Sequence, residues 1–186
     1  INEPFSDQGV TKQYTSARLN SKFAFLYGRV DVRAKIPTNQ GTWPAIWLLG
    51  KNVNEDGGFF DAQFGTTNWP ACGEIDIMEH KGNDLNRIYG TLHYPGRSGG
   101  NADGNTRVIS NATTEFHIYK VEWTAASIKI YVDDQIIHTV ANSSAIPFNH
   151  EFFLILNVAM GGTFGGAVDP NFTNATMEVD YVRVSL

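Results

Sequence analysis

The stretch GRVDVRAKI, residues Gly28–Ile36, decides the fold class of this chain. Apolar and charged side chains alternate along it, and successive side chains of a β-strand point to opposite faces of a sheet. Its apolar positions are Val30, Val32, Ala34 and Ile36. Its charged positions are Arg29, Asp31, Arg33 and Lys35. The alternation predicts a half-buried strand, with one face on a core and the other in solvent.

Further strand-like stretches follow this one, separated by glycine, asparagine and proline. They read TWPAIWLLG, RIYGTLHY, FHIYKVEW, SIKIYVD, QIIHTV, FFLILNVAM and ATMEVDYVRVSL. VDDQ, Val132–Gln135, predicts a tight hairpin turn, and no long window has a helical period. Many short strands joined in this way are typical of an all-β sandwich or jelly roll. Because no linker interrupts the pattern, we expect one domain over residues 1–186.

The composition narrows the classes of partner. The chain has 186 residues, of which 42% are hydrophobic and 18% charged, with a formal net charge of −5. This balance is that of a folded globular domain and argues against nucleic acid, anionic membranes and strongly anionic substrates. No apolar run approaches the roughly 20 residues of a membrane-spanning helix. The single cysteine, Cys72, excludes an internal disulfide.

Three acids interrupt the strand-like stretch GEIDIMEH, Gly73–His80. In a regular strand Glu74 and Asp76 share a face and Glu79 points to the other. A β-bulge near Met78 would return Glu79 to the first face, so the spacing predicts three converging carboxyls. Retaining glycosidases need two carboxyls about 5–5.5 Å apart. A solvated acidic strand and a calcium site are the alternatives that the spacing leaves open.

The middle acid has a chemical use beside the two glutamates. Asp76 can share a proton with Glu74, and its negative charge can raise the pKa of Glu79 so that Glu79 stays protonated. We expect the three groups to titrate as a coupled set.

The motif resembles the ExDxxE signature of glycoside hydrolase family sixteen, and the flanking stretches are similar as well. These stretches are Tyr14–Pro37, Gly41–Gly50, Gly90–Gly96, Leu156–Gly166 and Met177–Val184. The likeness is strongest to bacterial laminarinases, which are endo-β-1,3-glucanases. It implies a concanavalin A-like jelly roll of two curved antiparallel sheets with a sugar-binding cleft. It also implies Glu74 as nucleophile, Asp76 as helper and Glu79 as general acid/base.

The chain departs from the family pattern in two ways. Members usually carry further strands before the point where this chain starts, so the domain looks short at its N-terminus. We expect a monomer, with association possible through strand edges left unpaired. Phe164 stands in GGTFGG where relatives often have tryptophan, so stacking at that subsite is expected to be weaker.

Aromatic and polar residues near these motifs are candidates for binding sugar. The resemblance places Trp69 beneath the sugar at the cleavage point; Trp47 and Trp43 are further candidates, and Trp123 is expected in the core. The candidate polar residues and the remaining aromatic one are Arg18, Asn20, His93, Asn157 and Phe164. For each, core packing or structural hydrogen bonding is the competing interpretation.

No histidine pair has the spacing of a zinc site, and we expect no cofactor to be required for catalysis. Some family members hold a structural calcium, and Asp180 matches its side-chain ligand. One carboxylate cannot supply the roughly six oxygens that a hard cation needs. A structural calcium is therefore only a possible addition.

These patterns together predict retaining endo-hydrolysis of a laminarin-like β-1,3-glucan by a secreted or periplasmic enzyme. Mixed-linkage β-glucan, agar and carrageenan are alternative substrates within the family. A carbohydrate-binding jelly roll with little or no catalysis is the alternative from another class. A binding module has no need of three converging acids, which favours the enzyme.

Overall fold

The computed structural model describes residues 5–7, 10–55, 59–60 and 65–186. These residues form thirteen strands and almost no helix. The strands are β1 (Phe5–Asp7), β2 (Val10–Lys12), β3 (Arg18–Phe25), β4 (Gly28–Lys35), β5 (Thr42–Gly50), β6 (Glu74–His80), β7 (Arg87–His93), β8 (Asp103–Val108), β9 (His117–Trp123), β10 (Ser127–Val132), β11 (Gln135–Ala141), β12 (Phe152–Met160) and β13 (Glu178–Ser185). The helical segments are single turns, Gly99–Asn101 and Gly162–Gly165.

Two antiparallel sheets make up most of the fold. A five-stranded sheet has the order β11-β10-β9-β4-β13, and a six-stranded sheet has the order β3-β12-β5-β6-β7-β8. Strands β1 and β2 form a separate hairpin. The predicted all-β, two-sheet architecture is confirmed. The turn predicted at Val132–Gln135 joins β10 to β11.

The main hydrophobic core lies between the two sheets. Strand β4 contributes Val30, Val32 and Ala34, which are fully buried, as the alternation predicts. The opposite face of β4 is less exposed than predicted. Asp31 is largely buried there, because Arg29 donates two hydrogen bonds of 2.7 Å to its carboxylate. A charged face is therefore not always a solvated one.

The predicted bulge lies in β6. Against β7, the register moves from Asp76 opposite Thr91 to Glu79 opposite Tyr89, so three steps on β6 match two on β7. The extra residue lets consecutive apolar residues, Ile77 and Met78, both lie in the core between the sheets. Glu79 is thereby returned to the face that carries the other two acids.

We call the face of the six-stranded sheet that points away from the five-stranded sheet the cleft face. One end of this face is covered by a second, smaller core. Its buried members are Leu49, Val53, Phe60, Cys72, Phe153 and Ile155. Val53, Phe60 and Cys72, which lie between β5 and β6 in the sequence, thus pack on this face close to Leu49, the partner of Glu74.

The sandwich is open along one side. Strands β3 and β13 are the edge strands of the two sheets there, and most of their residues are exposed. An apolar groove of about 570 Å³ lies between them, with Leu19, Leu156 and Phe172 among its lining residues. Association through these edges remains a prediction. Within the described residues, no helix is long and apolar enough to cross a bilayer.

We expect Trp123→Ala to lower the free energy of unfolding by about 3–5 kcal/mol, because it removes a fully buried ring from a close-packed core. Trp123 is 1% exposed, packs against Phe25 and Phe152, and donates from Nε1 to the Phe148 carbonyl at 3.1 Å. Urea denaturation measures the change.

The matched control is Ile136→Ala, whose side chain is 45% exposed and whose loss should change stability by about 0.5 kcal/mol or less. A loss below about 1 kcal/mol for Trp123→Ala would show that this ring does not anchor the core.

Candidate active site

The three acids lie on one strand and one face. Across β5, Glu74 pairs with Leu49, Asp76 with Trp47, and Glu79 with Ala45. Paired residues of an antiparallel sheet point to the same side, so all three carboxyls lie on the cleft face. Asp76 is 3% exposed and Glu79 8%, while the side chain of Glu74 retains 17%. Such burial is unusual for carboxylates and needs a compensating environment.

Each glutamate accepts a hydrogen bond from a tryptophan ring. Trp69 Nε1 donates to Glu74 Oε2 at 2.9 Å, and Trp43 Nε1 donates to Glu79 Oε1 at 2.9 Å. Trp69 reaches the site from the segment before β6 and Trp43 from the neighbouring strand β5. Each indole therefore orients one carboxylate through one of its two oxygens.

His93, on β7, faces Asp76 and Glu74. Its Nε2 lies 3.1 Å from Asp76 Oδ2 and 3.8 Å from Glu74 Oε1. The Gly99 amide donates to Nδ1 at 3.1 Å, so in the neutral ring the proton is on Nε2, towards the carboxylates. Asp76 Oδ2 still lacks a well-aligned hydrogen bond within the described part of the chain. The ring of His93 also packs against Trp69, with centroids 5.5 Å apart.

Burial raises the pKa of all three carboxyls. For Glu74, burial and then the charge of Asp76 raise the pKa to about 9. For Asp76, burial and the charge of Glu79 raise the pKa well above its usual range, against a hydrogen bond with Glu74. For Glu79, burial raises the pKa, while Trp43, His93, Thr91 and Lys81 act to lower it.

The set therefore cannot be fully ionised at neutral pH, and its members share protons. The sequence analysis predicted a raised pKa for Glu79. In the structure the pKa of Glu74 rises as well, because its burial outweighs the hydrogen bond from Trp69.

The predicted polar residues meet on one side of the acids. Trp47 Nε1 donates to Asn157 Oδ1 at 2.7 Å, and the Arg18 guanidinium lies 5.4 Å from the centroid of the Trp47 ring. Arg18 Nε also donates to Asn20 Oδ1 at 3.1 Å. Glu55, which the sequence reasoning missed, pairs with Arg18 at 3.0 Å. The competing interpretation, structural hydrogen bonding, thus applies in part, because these side chains hydrogen-bond one another.

An aromatic cluster lies on the other side, next to Glu79. The Phe164 ring lies 5.0 Å from the Trp43 ring and 5.1 Å from the Tyr89 ring, measured between centroids. Tyr89 and Thr91 were missed, although the period-two alternation of RIYGTLH places both on the face of His93. Lys81, two residues beyond Glu79, was missed too.

The candidate aromatic residues differ in how much of each side chain is exposed to solvent. Trp69 is 45% exposed although it is hydrogen-bonded at the site, whereas Trp123 is buried in the core as predicted. Trp43 and Trp47 are half-buried on the cleft face. Core packing therefore does not account for Trp69.

Asp180 does not fit a calcium site within the described residues. It lies on β13 in the other sheet, and its carboxylate accepts a hydrogen bond of 2.7 Å from Arg33 Nη1. A guanidinium at this distance opposes a bound cation.

A different group could approach a metal ion. Ligand atoms of Glu74, Asp76 and His93 lie within 4.8 Å of one another. Two carboxyls and an imidazole fall short of the six oxygens or so that calcium takes.

Comparison with known proteins gives a consistent result. The model of the family described as "Glycosyl hydrolases family 16" matches residues 7–183. The chain is 40% identical to the beta-glucanase of Rhodothermus marinus, over 93% of this chain and 63% of that protein. It is also 40% identical to glucan endo-1,3-beta-glucosidase A1 of Niallia circulans, over 92% of this chain and 26% of that protein. The chain thus spans less than two thirds of either curated relative.

Solved structures show the same relationship. LamAcat of Zobellia galactanivorans is 47% identical with a TM-score of 0.94, covering 100% of this chain and 75% of that one. The laminarinase catalytic domain of Thermotoga maritima is 39% identical with a TM-score of 0.84, covering 98% and 74%. The fold is therefore the jelly roll of these laminarinases, and the chain belongs to glycosyl hydrolase family 16.

Proposed function

We propose that this chain is the catalytic jelly roll of a retaining endo-β-1,3-glucanase that acts on laminarin-like polysaccharide. The observation that supports this most is the set of three carboxyls on the cleft face, two buried and Glu74 with 17% of its side chain exposed, with an indole donor on each glutamate. Burying like charges together destabilises a protein, and a binding module gains nothing from it. Among solved relatives, LamA of Z. galactanivorans has been crystallised with laminaritriose and laminaritetraose.

In the proposed first step, Glu79 gives its proton to the glycosidic oxygen while Glu74 attacks the anomeric carbon. The electron pair of the breaking bond stays on the leaving oxygen, which departs as a hydroxyl of the released sugar. Glu74 is left in a covalent bond to the remaining sugar. In the second step Glu79 takes a proton from water, the resulting oxygen displaces Glu74, and the anomeric configuration is retained.

Asp76 and His93 are proposed to manage the protons between these steps. Asp76 hydrogen-bonds Glu74 and its charge acts on the pKa of Glu74. A proton shared by the two carboxyls stays with Asp76 when Glu74 attacks the sugar. It returns to Glu74 when the bond between Glu74 and the sugar is broken. His93 Nε2, 3.1 Å from Asp76, is placed to stabilise the charge that remains.

Sugar binding is proposed to use both flanks of the carboxyls. The exposed Trp69 ring offers a face to the sugar that Glu74 attacks, as the family resemblance implies, with Arg18, Asn20, Trp47 and Asn157 beyond it. Trp43 and Phe164 lie beside the acid on the other flank.

The reaction uses side chains alone, so no cofactor enters the proposal, nor does a structural calcium. A polymer of this kind lies outside cells, and we propose a secreted or periplasmic protein. A panel of laminarin, mixed-linkage β-glucan, agar and carrageenan, read by reducing-sugar release, tests the substrate class. Highest activity on laminarin is expected; binding to laminarin with no release of sugar would favour a binding module.

Glu74→Gln and Glu79→Gln should each reduce turnover on laminarin by at least about a thousandfold, since each removes a group that acts on the reacting bond. Both variants should stay folded. Glu115→Gln, which changes an exposed glutamate, is the matched control and should be fully active. If Glu74→Gln kept more than about a tenth of wild-type turnover, another group would have to be the nucleophile.

Trp69→Ala should lower kcat/KM on laminarin more than about tenfold while changing stability little. The variant loses the ring face and the Nε1 donor to Glu74, which lowers activity, and the ring is 45% exposed, so the core loses little.

Trp69→Phe keeps a ring but loses the indole donor, and it separates stacking from the hydrogen bond to Glu74. Near-normal kinetics for Trp69→Ala, together with a large drop in Tm, would place this ring in the core instead.

Glu74→Gln should also stabilise the protein, and the gain should grow with pH. The folded-state pKa of Glu74 is about 9, above its unfolded value, so the native state binds more protons than the unfolded state between those values. Wild-type stability therefore falls as pH rises across that window, by at most about 1.4 kcal/mol per unit from this group. Glutamine does not titrate, so the free energy of unfolding of the variant does not fall for this reason.

Urea denaturation at pH 5 and pH 8 measures the difference between variant and wild type, with Glu115→Gln as the control whose difference stays constant. A gain that is equal at both pH values would show that the folded-state pKa of Glu74 is not raised above its unfolded value.

A further inference from the structure

The loop after β6 places an ammonium group beside the proposed acid. Lys81 Nζ lies 4.3 Å from the centroid of the Phe164 ring and 4.9 Å from that of Tyr89. Tyr89 is the residue paired with Glu79 across the sheet, and Trp43, which donates to Glu79, packs on Phe164. The ammonium therefore belongs to the same cluster that surrounds the Glu79 carboxyl.

The backbone fixes where Lys81 lies. The Gly82 amide donates to the Thr42 carbonyl at 2.9 Å. A Cβ atom at Gly82 would lie 1.8 Å from the Asn39 carbonyl oxygen, so no side chain fits at this position. The glycine lets the loop press against the neighbouring segment, and Lys81 enters the cleft from a defined anchor.

Lys81 has no ion-pair partner in the part of the chain that the structure describes. The nearby acid in the same loop, Asp84, instead pairs with Arg87 at 2.9 Å. The ammonium lies over two aromatic faces, which attract a cation without neutralising it. Its charge thus remains available to a neighbouring carboxylate.

Glu79 is surrounded by groups that have opposite effects on its pKa. Its own strand supplies Asp76, whose negative charge repels that of Glu79. Strand β7 supplies His93 and the hydroxyl of Thr91. Strand β5 supplies the neutral donor Trp43, and the loop supplies Lys81. Lys81 is the charged partner in this set that lies outside the Glu74–Asp76–His93 group, so it can act on Glu79 selectively.

We propose that Lys81 is a positioning residue for Glu79, whose ammonium stabilises the carboxylate that Glu79 becomes each time it gives up its proton. The inference rests on the proposed role of Glu79 as general acid/base. When Glu79 protonates the glycosidic oxygen, it is left as an anion beside Lys81, and it becomes neutral again on taking a proton from water. Lys81 itself exchanges no proton and forms no covalent bond.

The role of Lys81 has a definite pH signature. The alkaline limb of kcat/KM reports the loss of the proton from Glu79 in the free enzyme. A nearby positive charge favours the carboxylate and lowers the pKa of Glu79. Removing that charge should therefore move the alkaline limb to higher pH.

The experiment compares wild type, Lys81→Met, Lys81→Gln and Lys81→Arg on laminarin across pH, each checked for folding by circular dichroism. Both neutral variants should shift the alkaline limb upward by about half a pH unit or more, and Lys81→Arg, which keeps the charge, should stay near wild type. If Lys81→Met does not fold, Lys81→Gln is the neutral variant that is compared with wild type.

A laminari-oligosaccharide with a dinitrophenyl leaving group sharpens the test. This group departs without being protonated, so the first step no longer needs Glu79 as an acid. When that step limits the rate, the variants should differ from wild type far less than on laminarin. An equally large effect on both substrates would overturn a role through Glu79.

The outcomes separate this inference from the proposed function. Unshifted limbs in folded neutral variants of an active enzyme, or an equal shift in Lys81→Arg, would overturn the role of Lys81 alone. A wild-type chain inactive on laminarin, or a fully active Glu79→Gln, would overturn the proposed function and this inference together.

Discussion

The burial of three carboxyls side by side on β6 is the constraint on which the rest of the structure depends. Desolvation and mutual repulsion both oppose it, and each raises the pKa of these groups. The surrounding structure has to offset that cost while keeping the carboxyls on one face. It does so with apolar packing below the strand and with fixed donors above it.

The packing below β6 and the chemistry above it come from the same bulge. The extra residue lets Met78 join Ile75 and Ile77 in the core between the sheets, where all three are fully buried. It simultaneously turns Glu79 towards Glu74 and Asp76. Strands on both sides lock the bulged strand in place, since β5 and β7 pair with it along its length. The acids therefore stand on a strand that is hydrogen-bonded on both sides.

Much of this could be predicted from sequence because it depends on local periodicity. The alternation in Gly28–Lys35 gave the half-buried strand, and the two-then-three spacing of the acids gave the bulge. The family resemblance also named Trp47, Asn157 and Trp69 as candidates, and in the structure Trp47 donates to Asn157 and Trp69 to Glu74.

The remainder depends on contacts between distant segments, which periodicity does not encode. The pairing of Asp180 with Arg33, for example, joins two residues that are 147 positions apart and lie on different strands. Lys81 gave no signal by itself, because its position depends on how closely Gly82 approaches Asn39. The raised pKa of Glu74 likewise follows from its depth in the folded sheet.

The central claim is that Glu74 and Glu79 work by double displacement on a β-glucan. Proton NMR of the first products released from laminarin, recorded before the anomers equilibrate, tests it most directly. Two displacements at one carbon retain configuration, so the account predicts that the β-anomer of the new reducing end appears first and the α-anomer follows only by mutarotation. Initial release of the α-anomer would mean a single inverting displacement, and would contradict the assignment of Glu74 as nucleophile.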